Sequence, residues 1–206
     1  MKQLTHKIKA MGYAVANRPF IPEVLLIPRP LILHISDTPR EIYPFLYRVI
    51  QKLQPIEIIH TGDMADNYKI EFQDFHLFHY QQAVSGFLKQ VRMISNAGIH
   101  ITMGNHDDLE TLNVLCPGER LDDRVVELYG KKFFLLHNLE EEPVEEGYYC
   151  FGHKFEPVTD VSGPCKLLNG ILSINVIDVD DWTVHHINYP LGTDAFRKMT
   201  GGRIKL

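Results

Sequence analysis

Residues 56–67 read Ile56-Glu57-Ile58-Ile59-His60-Thr61-Gly62-Asp63-Met64-Ala65-Asp66-Asn67. The run Ile56–His60 has the length and apolar character of a buried strand. It stops at a glycine, and a carboxylate follows at once. The runs on either side also end in polar residues. Leu31–Ser36 runs into Asp37-Thr38-Pro39, and Ile99–Met103 runs into Gly104-Asn105-His106-Asp107. Between these runs the apolar spacing is helical. Ile42, Leu46, Val49, Ile50 and Leu53 predict an amphipathic helix over about 41–53, with Pro44 tolerated in its first turn. Phe72, Phe75, Val84, Phe87, Leu88, Val91 and Ile94 mark the buried face of a longer helix, and Gly98 stands where a C-cap glycine is expected. Strand, helix, strand, helix, strand is the βαβ pattern of a mainly parallel sheet.

The second half reads as a run of strands. Arg124–Leu128 and Lys132–Leu136 flank a tight turn at Tyr129-Gly130-Lys131, and Tyr148–Phe151 is a further short strand. Leu167–Val179 and Thr183–Asn188 read as a hairpin around Asp180-Asp181. A second sheet, or an antiparallel continuation of the first, follows. Residues 1–30 read as an N-terminal appendage, with a short helix at about 4–11 and then Pro19, Pro22, Pro28 and Pro30. Residues 31–206 read as a single domain.

The 206-residue length suits one domain, and 45% hydrophobic with 23% charged residues is a globular composition. The net charge of −5 supplies no basic surface, which disfavours nucleic acid and anionic membrane as partners. Cys116, Cys150 and Cys165 form no CxxC pair, so neither a disulfide framework nor a thiolate zinc site is indicated. The first residues carry no apolar signal core, and Val24–Ile35 is interrupted by Pro28, Arg29 and Pro30. A cytoplasmic location is the natural expectation. Oligomeric state is open.

Eleven histidines are the remaining anomaly. Five successive strand exits each deliver Asp, Asn or His: Asp37, Asp63, Asn105 with His106 and Asp107, His137, and His153 after Gly152. In open α/β sheets, ligands bind outside the carboxyl ends of the strands, so these side chains should converge. Such a mixed oxygen and imidazole set suits Mn²⁺, Fe²⁺ or Zn²⁺ better than Mg²⁺ or Ca²⁺. Taken singly, Asp37 and Asp63 are equally well read as helix N-caps, and Gly104-Asn105 as a turn. His34, His60 and His100 read as packing residues, and His76 and His79 as solvated. His185 and His186 face opposite ways on a strand, and Glu140–Glu146 forms a solvated acidic loop.

The ordered set Asp37, Gly62-Asp63, Gly104-Asn105-His106-Asp107, His137, Gly152-His153 resembles the calcineurin-like metallophosphoesterase superfamily, whose pattern is DxH, GDxxD, GNH(D/E), a lone His, and GHxH. The resemblance covers roughly residues 31–155. It implies a four-layer α/β/β/α sandwich of two mixed sheets with a dinuclear metal centre at the sheet edge. By that likeness Asp63 bridges two metals, and Asn105, His137 and His153 complete one site. His106 protonates the leaving alkoxide or contacts the phosphoryl oxygens, and Asp107 fixes its ring. Two ions about 3.5–4 Å apart activate water and clamp a phosphoryl group.

The sequence departs from the pattern twice. Pro39 replaces the His of DxH and Phe155 the second His of GHxH, and both histidines would serve one metal together with Asp37 and Asp63. One site is therefore complete and the other weakened. The expected function is a metal-dependent phosphoesterase acting on a small phosphomonoester or phosphodiester, with one firmly bound divalent ion. The alternative is a catalytically retired fold serving as a binding or scaffold module. Retention of His106 and Asp107 favours the enzyme.

Overall fold

The computed structural model describes residues 18–69 and 75–198. The expected helix at about 4–11, and Phe72, fall outside them. Among the described residues, nine strands form two mixed sheets. Sheet A has the order β3-β2-β1-β8-β9 and sheet B the order β4-β5-β6-β7. In sheet A, β1 (Leu31–Ile35), β2 (Glu57–His60) and β3 (Gly98–Ile101) pair in parallel, while β8 (Ile174–Asp178) and β9 (Val184–Ile187) add antiparallel. In sheet B, β4 (Arg124–Leu128) pairs antiparallel with β5 (Lys131–Leu135), through a turn in which Tyr129 and Gly130 both have positive φ. Then β6 (Gly147–Phe151) and β7 (Cys165–Asn169) follow in parallel.

Helices α1 (Tyr43–Leu53) and α2 (Phe75–Ile94) cross over between the parallel strands, as the periodicity predicts. Helix α1 buries Phe45, Leu46, Val49, Ile50 and Leu53 on sheet A and ends at Gln54, which takes the left-handed conformation. Pro44 lies in its first turn, where no backbone hydrogen bond is lost. Val84, Phe87, Leu88 and Val91 of α2 join the same core. A second core fills the space between the sheets, with Ile32, Ile59 and Ile177 facing Phe133, Leu135, Tyr148, Cys150 and Leu168. Ile21 and Leu25, upstream of β1, are buried in the first core, and Arg29 pairs with buried Asp178.

Two expectations change. Gly98 is no helix cap: α2 ends at Ile94 and Gly98 begins β3. Its missing Cβ leaves room for the Glu57 carboxylate, which also meets the His100 ring at 3.1 Å. The stretch 167–179 is not one strand but two, β7 in sheet B and β8 in sheet A. The break falls at Gly170, where a Cβ would lie 2.9 Å from the His34 ring and from Ser36. Only glycine lets the chain pass that close as it changes sheets.

The parallel registers align the strand exits. Ile35 pairs with His60, His60 with Ile101, and Leu135 with Cys150. The loops after β1, β2, β3, β5 and β6 therefore open at one edge shared by both sheets.

A candidate metal centre at the strand exits

These loops are built tightly. Asp37, Asp63 and His153 each take positive φ (50°, 55° and 67°), a conformation non-glycine residues adopt at a cost and which clusters at functional sites. The loops hold one another through backbone bonds: Asp37 N–H to Gly62 O and Thr38 N–H to Asp63 O, each 3.0 Å, and Gly152 N–H to His137 O at 3.0 Å. Gly62 has φ +93°, and a Cβ there would lie 2.6 Å from Gly104 N and from His137 Nδ1.

Asp107 organises two of the exits. Its carboxylate accepts from the backbone amides of Asp63 (2.7 Å), Met64 (2.8 Å) and Gly104 (2.8 Å) and from the Tyr80 hydroxyl (2.9 Å). A carboxylate has about four acceptor positions, and all are taken. The expectation that Asp107 fixes the His106 ring is thus corrected: it fixes backbone instead.

The ligating atoms gather around Asp63. One oxygen, Oδ1, accepts the His106 backbone N–H at 2.9 Å, leaving Oδ2 facing His137 Nε2 at 3.7 Å. His137 donates Nδ1–H to the Thr61 carbonyl at 2.8 Å, so Nε2 carries a bare lone pair. Asn105 turns its Nδ2 toward the His106 ring and its Oδ1 toward His137 Nε2, at 3.0 Å. The ring of His153 lies edge-on to that of His137, with centroids 4.9 Å apart. Ligand atoms of Asp63, His137 and His153 all fall within 4.8 Å of one another. Potential ligand atoms thus converge on one point, an arrangement suited to a cation among them. Ligands about 2.0–2.2 Å from a transition-metal ion lie about 3–4 Å from each other, which this spacing approaches.

The electrostatics point the same way. Burial pushes the Asp63 carboxyl well above its usual range, and Asp37, Asp107 and Asp66 push it further. Burial and Asp37 raise Asp66 to about 7. A bound divalent ion reverses this penalty. His106 moves the other way, down to about 4, by desolvation first and then by the charge of Lys69 and the neighbouring imidazoles. Desolvation and the neighbouring positive charge thus favour the uncharged ring.

Of the seven residues expected at the site, the structure gathers Asp63, Asn105, His137, His153 and His106 around one point, with Asp107 beneath. Asp37 lies near enough for its charge to act on Asp63, with one oxygen accepting the His153 backbone N–H at 3.0 Å. Pro39 is buried and Phe155 partly so, and neither side chain has a donor atom.

Sequence reasoning passed over several participants. Asp66, Asp63 and His106 form a second group of potential ligands within 4.8 Å; Asp66 stood in the quoted GDxxD but was given no role. Lys69 pairs with Asp66, and buried Arg197 donates to the Asp37 carbonyl at 2.6 Å. Neither lies in a motif, so nothing local signals them. Beneath the site runs a polar chain in which His186 meets Asn175 (2.9 Å), Asn175 meets His34 (3.1 Å) and His34 meets Thr61 (3.0 Å). His34 thus packs as expected while supporting the residue that orients His137.

His76 and His79 are not fully solvated. They are half-buried against Tyr68, the His79 and Tyr68 rings stacked at 5.8 Å. With Glu41, Asn67 and Phe196 they line a cavity of about 360 Å³ on the Asp66 side. Arg40 is exposed and donates to the Tyr68 hydroxyl at 3.2 Å. After the β3 exit comes a short helix, α3 (Leu109–Leu115), capped by Asp108 accepting the Thr111 N–H. No helix among the described residues is long and apolar enough to cross a membrane.

Comparison with known proteins follows the same lines. A structure of YfcE, a phosphoesterase from E. coli, is similar with a TM-score of 0.52 and 13% identity, over 78% of this chain and 99% of that one. A protein of unknown function from Aquifex aeolicus, AQ665, gives a TM-score of 0.38 and 13% identity, over 77% and 96% of the two chains. No curated protein matches the chain. The sequence profile of the calcineurin-like phosphoesterases matches residues 30–198, which takes in every strand and helix described above except the 3-10 turn at Glu23–Leu26. The chain belongs to the calcineurin-like phosphoesterase family.

Proposed function

We propose that the protein is a metal-dependent hydrolase of a phosphomonoester or phosphodiester, working with one divalent ion held by Asp63, Asn105, His137 and His153. The observation that carries this reading is the convergence of acceptor atoms. Asp63 Oδ2, Asn105 Oδ1 and the lone pair of His137 Nε2 face each other, and the tautomer of His137 is set by the Thr61 carbonyl. Their mixed oxygen and imidazole character suits Mn²⁺, Fe²⁺ or Zn²⁺.

When bound, the ion would lower the pKa of water and draw charge from the phosphoryl oxygens. The chain's own residues do the rest. His106, half-buried beside Asn105, offers a ring N–H to a phosphoryl oxygen. Asp107 holds the β2 and β3 exits at fixed separation through their backbone amides.

Turnover of p-nitrophenyl phosphate and its bis-ester, assayed with Mn²⁺, Zn²⁺ and Fe²⁺, tests the reading. Activity with at least one ion is expected, lost on chelation. His106→Ala is expected to lower kcat by roughly 10²-fold, the usual effect of removing one hydrogen-bond donor to developing charge. Neither metal binding nor turnover with any of the three would favour a binding or scaffold role instead.

A further inference from the structure

The position where the family pattern places a first metal ion is short of ligands here and is supplied with a positive charge. Pro39 and Phe155 have no donor atom in their side chains, and one oxygen of Asp37 is engaged by the His153 N–H. On the same side, Asp63, Asp66 and His106 bring ligand atoms within 4.8 Å of one another. That group is already answered by a cation. The Lys69 ammonium pairs with Asp66 Oδ1, the carboxylate being 2% exposed and the lysine side chain 21%. Arg197, buried, approaches Asp66 and Asp37 from the protein side, its guanidinium shared with Asp194.

We propose that the Lys69 ammonium, paired with Asp66, supplies on this side the positive charge a first metal ion would otherwise bring, so that the protein binds one divalent ion rather than two. The inference rests on the metal reading given above and deepens it. An ammonium has three N–H donors and a compact charge. One N–H is used on Asp66, and the lysine side chain keeps 21% of its surface exposed. No bond to the ammonium forms or breaks; its contribution is charge and hydrogen bonding.

Titration of the chelator-stripped full chain with Mn²⁺, followed by the signal of the free aqueous ion, separates the possibilities. The wild type and Lys69→Arg should bind one ion per chain. Lys69→Met leaves the carboxylates without their countercharge and should acquire a second ion, at least tenfold tighter than any second binding in the wild type. Unchanged affinity for the first ion shows that the variant is folded. Two ions of similar affinity in the wild type, or no change in second-ion binding in Lys69→Met, would overturn the proposal while leaving the single-site reading intact. Binding of no ion by the wild type would overturn both.

Discussion

Asp107 shows how much one side chain can carry. Three backbone amides and one phenol converge on its buried carboxylate, and three of these four donors come from the two loops that present Asp63 and Asn105. Removing the carboxylate leaves buried donors unpaired, each costing about 1–3 kcal/mol. Asp107→Ala should therefore destabilise the protein by at least about 3 kcal/mol in urea unfolding, and a loss below about 1 kcal/mol would contradict this assignment. The buried histidines set a different dependence. Burial pushes His34 and His60 down to about 3 in the folded protein. Thr38 donates its only hydroxyl proton to the Met64 carbonyl, so His60 Nε2–H must donate to Thr38, and its Nδ1 is a buried acceptor without a partner. Unfolded, both rings titrate near 6.5. Between about 6.5 and 3 the unfolded chain binds more protons than the folded one, so stability is full above pH 6.5 and falls as the pH drops through that window. The raised Asp63 and Asp66 carboxyls act in the opposite sense in the metal-free protein, so the test is a difference: between pH 7.5 and 5, with chelator present, the urea midpoint of His60→Gln should lose less, or gain more, than that of the wild type. Identical pH dependence in the two proteins would exclude this contribution of His60.

At the scale of elements, the strands and helices of the first half were legible because each is a short apolar run or a helical stripe that ends in turn chemistry. What was not legible depended on partners distant in sequence. Gly98 looks like a helix cap until Glu57 is seen lying where its Cβ would be. Residues 167–179 look like one strand until the His34 ring is seen against Gly170. In the site, the motif residues after β1, β2, β3, β5 and β6 could be listed from sequence, since each follows its own strand. The Asp107 contacts, the Lys69–Asp66 pair and Arg197 against Asp37 arise only when separate loops meet, and no spacing encodes them. Two glycines give opposite forecasts. Gly62→Ala would place a Cβ 2.6 Å from Gly104 N at φ +93°. It should cost about 1–3 kcal/mol and weaken metal binding at least tenfold. Gly86, exposed on α2 with nothing within 4 Å of a Cβ, should gain about 0.5–1 kcal/mol on change to Ala with metal affinity unaltered. Thermal melting and Mn²⁺ titration of the two variants check both.

Across the whole molecule, two sheets share one edge because parallel pairing in each sends its strand exits the same way. Sheet A supplies Asp63 and Asn105 after β2 and β3, and sheet B supplies His137 and His153 after β5 and β6. The face-to-face packing of the two sheets is thus what completes the ligand set, and the chain His186–Asn175–His34–Thr61 ties the interior of sheet A to the orientation of His137. If that account holds, removing one imidazole from sheet B should abolish a site half of whose ligands lie in sheet A. The most direct measurement is the number and affinity of Mn²⁺ ions bound by the chelator-stripped protein, compared between wild type and His137→Ala. The account predicts one tight ion in the wild type and at least a hundredfold weaker binding in His137→Ala, with the metal-free melting temperature changed by no more than a few degrees. Equal affinity in the two proteins would contradict it.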